Sequence, residues 1–135
     1  MKGAKAIQEA TIIAGVKRLI VIGGAGSLYV NEQKELQLVD APGFPEEIKQ
    51  GALAARDFYD ILKMNQDLNW TMFSPAPEMH QGTSGNKKGI YRLGNDVPVF
   101  DEQGHSVLSV EDVAVVIADE IENAQFLQKR FTAAY

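Results

Sequence analysis

The sequence predicts an α/β domain, a parallel sheet with helices laid on its faces. Three observations predict it. Leu19-Ile20-Val21-Ile22 is a short, β-branched, continuous apolar run that ends in Gly23-Gly24. Such a run is the mark of a strand buried on both faces. A second strand pattern, Asn69-Trp70-Thr71-Met72-Phe73, follows an amphipathic stretch over residues 45–64. Strand, helix, strand in that order makes a right-handed βαβ crossover the default. A further amphipathic stretch then leads into a last extended segment at residues 129–134.

The elements follow in order. Residues 2–15 are expected to be helical, with Ala4, Ile7, Ala10, Thr11 and Ala14 on one stripe. Gly15 is a left-handed stop, and Val16 supplies the apolar contact that accompanies such a cap. After the first strand, residues 24–44 are mostly loop, with a short extended piece near Leu36 to Val39 and turn residues at 40–43. The helix over 45–64 starts with Pro45 at its first position. Glu46 and Glu47 complement the positive helix end. Ala52, Ala55, Phe58, Tyr59 and Leu62 form its buried side. Beyond the second strand, residues 74–89 are a polar loop, and residues 90–93 and 97–100 are short strand candidates. Residues 101–104 make a turn, and Val107-Leu108 is extended. Ser109 with Asp112 resembles a capping box opening a helix that carries Val110, Val113, Ala114, Ile117 and Ile121.

Composition narrows the function. The chain has 135 residues, 45% apolar and 23% charged, enough for one domain with its own core. Thirteen Lys and Arg against eighteen Asp and Glu give a net charge of −5 with no basic run, which argues against nucleic-acid binding. No apolar run approaches the roughly 20 residues that span a bilayer. The opening residues MKGAKA lack the apolar stretch of a secretory signal. Without cysteine there is no disulfide, thiol nucleophile or cysteine zinc site. A cytoplasmic protein that touches neither membrane nor nucleic acid is expected.

Two loops carry the candidate site. Gly23, Gly24, Ala25, Gly26 and Ser27 leave the first strand at its carboxyl end. In open α/β sheets that end is where ligands sit, and glycine lets a ligand approach the backbone. The other reading is a plain turn. Neither a dinucleotide fingerprint nor a P-loop is present: no helix opens on the glycines and no Gly-Lys-Ser/Thr follows. Ser74, Pro75 and Ala76 leave the second strand at the same edge, and two such loops together make a site. Tyr59 and Lys63 spell Tyr-x-x-x-Lys but lie at the far end of their helix, so they read as packing and a helix-end cation. His80 lies in the polar loop, where it can face a ligand, and His105 reads as a surface residue. Neither has carboxylate partners at ligand spacing, so no metal site is expected. Asp96, Asp101 and Glu102 read as turn residues, Trp70 as core, and no carboxylate pair is placed for acid–base work.

Over nearly its whole length the chain resembles the atypical short-chain dehydrogenase/reductases, in particular the NAD(P)-binding NmrA-like proteins described as NADH-flavin reductases. Residues 15–28 (GVKRLIVIGGAGSL) resemble their fifth-strand region, and residues 67–76 (DLNWTMFSPA) resemble the sixth strand and its loop. Residues 89–96 (GIYRLGND) are similar to part of the substrate side, and residues 109–114 and 130–135 match as well. The resemblance implies the C-terminal part of a Rossmann-type, doubly wound parallel sheet in three α/β/α layers, with the N-terminal strands missing. It implies NAD(P)H at the strand ends, with residues 23–27 beside the nicotinamide ribose and Ser74, Pro75 and Ala76 near the nicotinamide. His80, Tyr91 and Arg92 fall on the substrate side. Hydride would pass to a flavin or a small acceptor, the cofactor carrying the chemistry.

Two departures stand out. Alignment of residues 54–57 with the family helix puts Lys49 and Leu53 where the catalytic tyrosine and lysine would fall, so no Tyr/Lys catalysis and no catalytic residue is assigned. The sequence also opens at the helix before the fifth strand, about 70–90 residues short, counting three strand–helix units at about 25–30 residues each. Residues 1–135 therefore read as a single partial domain, incomplete for cofactor binding. Its first strand would expose an apolar edge. Homo-oligomerisation, or pairing of that edge at Leu19 to Ile22 with an N-terminal half, is expected. The alternative is a module that binds a dinucleotide or a partner without turnover. A flavodoxin-like FMN binder is disfavoured, because no phosphate loop follows a first strand.

Overall fold

The computed structural model describes residues 2–135. The elements are α1 (Lys2–Ile13), β1 (Arg18–Ile22), α2 (Glu46–Leu62), β2 (Asn69–Phe73), β3 (Arg92–Gly94), α3 (Val110–Asn123) and β4 (Lys129–Ala134), with 3-10 turns at Leu38–Asp40 and Gln81–Thr83. The four strands form one sheet in the order β1-β2-β4-β3. β1, β2 and β4 are parallel, and β3 runs antiparallel to β4. This is the α/β, mostly parallel, Rossmann-like arrangement the sequence predicts.

Alternation along β2 divides the core. Trp70 and Met72 face α2 and pack with Leu62 and Leu68, joined by Phe58 and Tyr59. Phe73 points the other way, into a cluster with Phe131, Leu108, Val113 and Val116 under α3. Phe131 stacks on Phe126 at 4.3 Å and lies 5.0 Å from Phe73. β2 and β4, at the centre of the parallel strands, are thus covered on both sides.

β1 is not. It was expected to be buried on both faces. It is the sheet edge, only half-buried, and Ile22 is 55% exposed. β2 is its one strand neighbour among the described residues. The α1 stripe is also corrected. Ala4 and Gln8 are buried, while Ile7, Ala10 and Ala14 are exposed. Gln8 reaches the core side because both ends of its amide are satisfied, by the Ala4 carbonyl at 3.1 Å and the Asn65 amide at 2.8 Å. Gly15, at φ +74, ends α1 as expected. Its N–H donates to the Ile12 carbonyl and that of Val16 to the Thr11 carbonyl, the paired bonds of a Schellman cap.

Three more expectations change. Pro45 is the N-cap of α2, not its first helical residue, since its ψ of 126° is extended. Around Leu36 to Val39 the chain makes one bridge, Tyr29 to Gln37, and then turns as a 3-10 helix. Residues 97–100 form no strand, and of 90–93 only the end joins β3. Ser109 caps α3 by accepting from the Asp112 N–H at 3.1 Å, but the capping box is not closed. Asp112 instead accepts from the backbone N–H groups of Lys88 and Gly89 at 2.8 and 2.9 Å and from the Tyr135 hydroxyl. It thereby pins the 86–89 loop to α3.

Candidate functional site

The parallel pairing brings Ile22 level with Phe73, so the loops after β1 and β2 emerge side by side. The Gly23 N–H still donates to the Phe73 carbonyl at 2.8 Å, and Ser74 N–H donates to Phe131 at 2.9 Å. Beyond these bonds the loops part around a cleft of about 870 Å³. Residues 23–26 form its floor. One wall is the loop 41–45 with the first turns of α2, and the other is residues 75–77 with Met79. This is the strand-end crevice where open α/β sheets take ligands.

The nominated residues divide. Gly23, Gly24, Ala25, Gly26, Pro75 and Ala76 line the cleft; Ser27 and Ser74 do not. Nor is glycine here a matter of ligand approach alone. A Cβ on Gly26 would lie 2.9 Å from the Ala52 Cβ and 3.2 Å from that of Val39. One on Gly23 would meet the Met72 sulfur at 2.5 Å. The bare backbone at these two positions lets α2 and β2 pack against the loop.

Ser27 and Ser74 turn inward to Arg130, which the sequence reading passed over. Arg130 rises from β4, 5% exposed, and donates to Ser27 Oγ at 2.8 Å, Ser74 Oγ at 3.5 Å and the Ser27 carbonyl at 3.3 Å. Its Nε and Nη2 both reach Asp96 Oδ1, at 3.1 and 3.0 Å. The Tyr59 ring covers the guanidinium at 4.7 Å. One buried cation thus ties the two cleft loops to Asp96, which is a counter-ion here and not simply a turn residue. The signal was present: a charge at a core-facing position of a strand requires a buried partner.

His80, Tyr91 and Arg92 lie outside the cleft, and each makes side-chain hydrogen bonds within the fold. His80 Nδ1 accepts from the Gly82 N–H at 3.0 Å, capping a 3-10 turn. The Tyr91 hydroxyl donates to Asp119 at 2.5 Å. Burial first, then that carboxylate, pushes its pKa up to about 12, so it stays a neutral donor. Arg92 donates to the carbonyls of Phe100 and Tyr135. Tyr59 stands edge-on to Trp70 and under Lys63, away from the cleft. Burial raises its pKa, outweighing Arg130. No cluster of His, Cys, Asp or Glu among the described residues is arranged for a metal.

A dinucleotide can be tested against this geometry. The cleft suits its nicotinamide end, being small-residue and apolar at the strand tips. No α-helix opens directly on the glycines: the chain makes a 3-10 turn at 38–40 and reaches α2 only at Glu46, so a pyrophosphate finds no helix N-terminus there.

Fold and cleft define a Rossmann-like nucleotide-site protein. A family model described as NAD(P)H-binding matches residues 1–124, and the chain belongs to that family. NAD(P)H is accordingly the cofactor the resemblance supports. The chain is 36% identical over 115 residues to the uncharacterized protein YwnB of Bacillus subtilis, covering 85% of this chain and 53% of that one. It is similar to a Burkholderia pseudomallei crystal structure, provisionally described as an exported protein, at 46% identity and TM-score 0.88 over 98% of this chain and 62% of that one. A Streptococcus pneumoniae structure provisionally described as an NADH-flavin reductase matches at 37% identity and TM-score 0.86, over 97% and 62%. The chain thus spans between half and two thirds of the length of these relatives. Among the described residues no helix is long and apolar enough to cross a membrane.

Proposed function

We propose that the strand-end cleft is the nicotinamide and acceptor half of an NAD(P)H-dependent oxidoreductase that passes hydride to a flavin or another small acceptor. The observation that carries it is the cleft itself, set between the tips of β1 and β2 in a chain of the NAD(P)H-binding family. The relative described as an NADH-flavin reductase supports the acceptor class. When bound, the reduced nicotinamide supplies two electrons and one proton as hydride, and the oxidised cofactor leaves. The chain's own residues position and shield. Residues 23–26, as the floor, and 75–76, in one wall, are the surfaces against which the ring would lie, and Arg130 holds the two loops together from beneath. The acceptor takes its remaining proton from water.

Titration with NADPH and with NADH, followed by fluorescence, tests the cofactor site. Loss of reduced-nicotinamide absorbance with riboflavin present tests turnover. Absence of any binding removes the cofactor role for this chain. Binding without turnover favours the second reading, a non-catalytic module, to which Tyr59 and Lys63 lying off the cleft lends support.

We take residues 1–135 as one nucleotide-binding domain acting in the cytoplasm. The β1 edge is taken to pair with a second copy or with an N-terminal strand–helix half, since an open parallel edge carrying Ile22 is a template for pairing. Size-exclusion chromatography with light scattering is expected to show an oligomer or aggregate, and a stable monomer at micromolar concentration would count against this pairing.

A further inference from the structure

The cleft is chemically one-sided. Its lining is Gly, Ala, Pro, Ile, Leu, Met and Phe with a single polar side chain, Glu47. The serines of both loops are turned inward to Arg130, and the basic residues nearest in sequence are engaged elsewhere: Arg56 with Asp40 at 2.8 Å and Lys49 with Glu46 at 3.8 Å. The one feature that would draw an anion is the N-terminus of α2, worth about half a positive charge. It carries no side-chain cap but already has Glu46 and Glu47 in its first turn. Glu46 is paired with Lys49, and the full charge of Glu47 outweighs that half charge, so the end of the cleft is net negative. Phe44, Ile48 and Met79 offer flat and pliable apolar contact around it. At about 870 Å³ the space lies near the upper end of the range for small-molecule sites.

We infer that Glu47 sets the charge selectivity of this cleft: it takes an uncharged, planar aromatic acceptor and discriminates against the phosphorylated form of the same ring. This rests on the acceptor reading above and names its substrate class. A neutral ring buries apolar surface at no electrostatic cost. A phosphate brought past Glu47 meets a like charge that outweighs the partial positive charge of the α2 N-terminus, and no arginine or lysine among the described lining residues to receive it.

The test is binding alone, with no reduced nicotinamide present, so that it stands apart from turnover. Riboflavin and FMN are titrated with the intact chain at low ionic strength, and flavin fluorescence quenching is read. Riboflavin is expected to bind about fivefold more tightly, the factor Coulomb's law gives for a dianion about 8 Å from a carboxylate in water. The ratio should shrink toward one in about 0.5 M salt, where charges are screened within a few ångströms. Glu47→Gln should tighten FMN to the level of riboflavin while leaving riboflavin within about twofold. Glu46→Gln, which alters the same helix end without touching the cleft, should do less. FMN binding as tightly as riboflavin, failure of both to bind, or an equal response to the Glu46 and Glu47 variants would each overturn the inference. The hydride-transfer reading fails on a different result, the absence of NADPH or NADH oxidation.

Discussion

Two arginines lie against the sheet, one on each face, and they differ in which member of the ion pair is buried. On the α2 face the cation is inside: Arg130 is 5% exposed, and its partner Asp96 has a side chain 31% exposed. On the α3 face the anion is inside: Glu120 is 3% exposed and pairs at 2.5 Å with Arg18, whose side chain is 27% exposed. The Glu120 carboxylate also accepts from the backbone N–H groups of Gln125 and Phe126. It closes the turn from α3 into β4, whereas Arg130 closes the two loops of the cleft. The chemistry of the buried partner decides how each fails. A buried carboxylate can shed its charge by taking a proton, and a guanidinium cannot. The cleft therefore depends on Asp96 more than the α3 turn depends on Arg18.

The largest effect should come from Asp96→Ala. It leaves Arg130 charged, buried and held only by serine and carbonyl oxygens. Urea unfolding is expected to show a loss of about 3–5 kcal/mol. Arg130→Met, which removes the charge and keeps apolar bulk under Tyr59, should cost less, about 1–2 kcal/mol, because Asp96 reaches water. If Arg130→Met is the worse of the two, the buried cation is not what makes this cluster fragile.

On the other face the order should reverse in kind and shrink in size. Arg18→Ala removes hydrogen bonds to Glu120, to Thr71 Oγ1 at 2.7 Å and to the Asn69 carbonyl at 2.8 Å. Two backbone donors still satisfy Glu120, so the loss should be about 1–2 kcal/mol. A loss as large as that of Asp96→Ala would break the comparison.

Asp112 sharpens the point, being a buried carboxylate with no ion-pair partner among the described residues. Burial alone would raise its pKa, but the Lys88 N–H, the Tyr135 hydroxyl, the Gly89 N–H and Ser109 together hold it at about 2. A folded pKa below the ordinary carboxylate value of about 4 gives stability that is present above about pH 4 and lost as pH falls toward about 2. Asp112→Asn should flatten that acid slope. It should also speed hydrogen exchange at Lys88 and Gly89, with a neutral-pH cost of about 1–2 kcal/mol. An unchanged slope would assign the acid sensitivity to other groups.

How much of this was legible in the sequence follows from the range of the interactions. Strand and helix periodicity is local, so β1, α2, β2, α3 and β4 are readable from spacing, as are Gly15 as a stop and residues 23–26 and 75–76 as cleft lining. Arg130 with Ser27 spans 103 positions, and with Asp96 it spans 34. No window shows such a pair, although the lone charge in β4 was a hint. The closure of α3 also escaped a search for glycine. It ends on Ala124 at φ +48, a left-handed residue that the Glu120 carbonyl holds through a backbone bond. Ile7 and Ala10 mislead for the opposite reason. Periodicity records a stripe, but only α2 meets α1 closely, so of the stripe Ala4 is buried and Thr11 half-buried while Ile7, Ala10 and Ala14 are exposed, and Gln8, off the stripe, is buried.

The smallest expected effect tests the motif a pattern search would choose first. Tyr59 and Lys63 carry the Tyr-x-x-x-Lys spacing, yet the Tyr59 ring lies between Trp70, Lys63 and Arg130, and the hydroxyl is engaged in no hydrogen bond among the described residues. Tyr59→Phe keeps the ring and with it both cation–π contacts, so stability should move by less than about 0.5 kcal/mol. NADPH or NADH oxidation, where the chain supports it, should be unchanged. Tyr59→Leu, which removes the ring, should cost about 1 kcal/mol more, through Arg130. Loss of turnover in Tyr59→Phe with folding intact would restore the tyrosine as a proton donor and move the reacting end of the site from the glycine loop to the far end of α2.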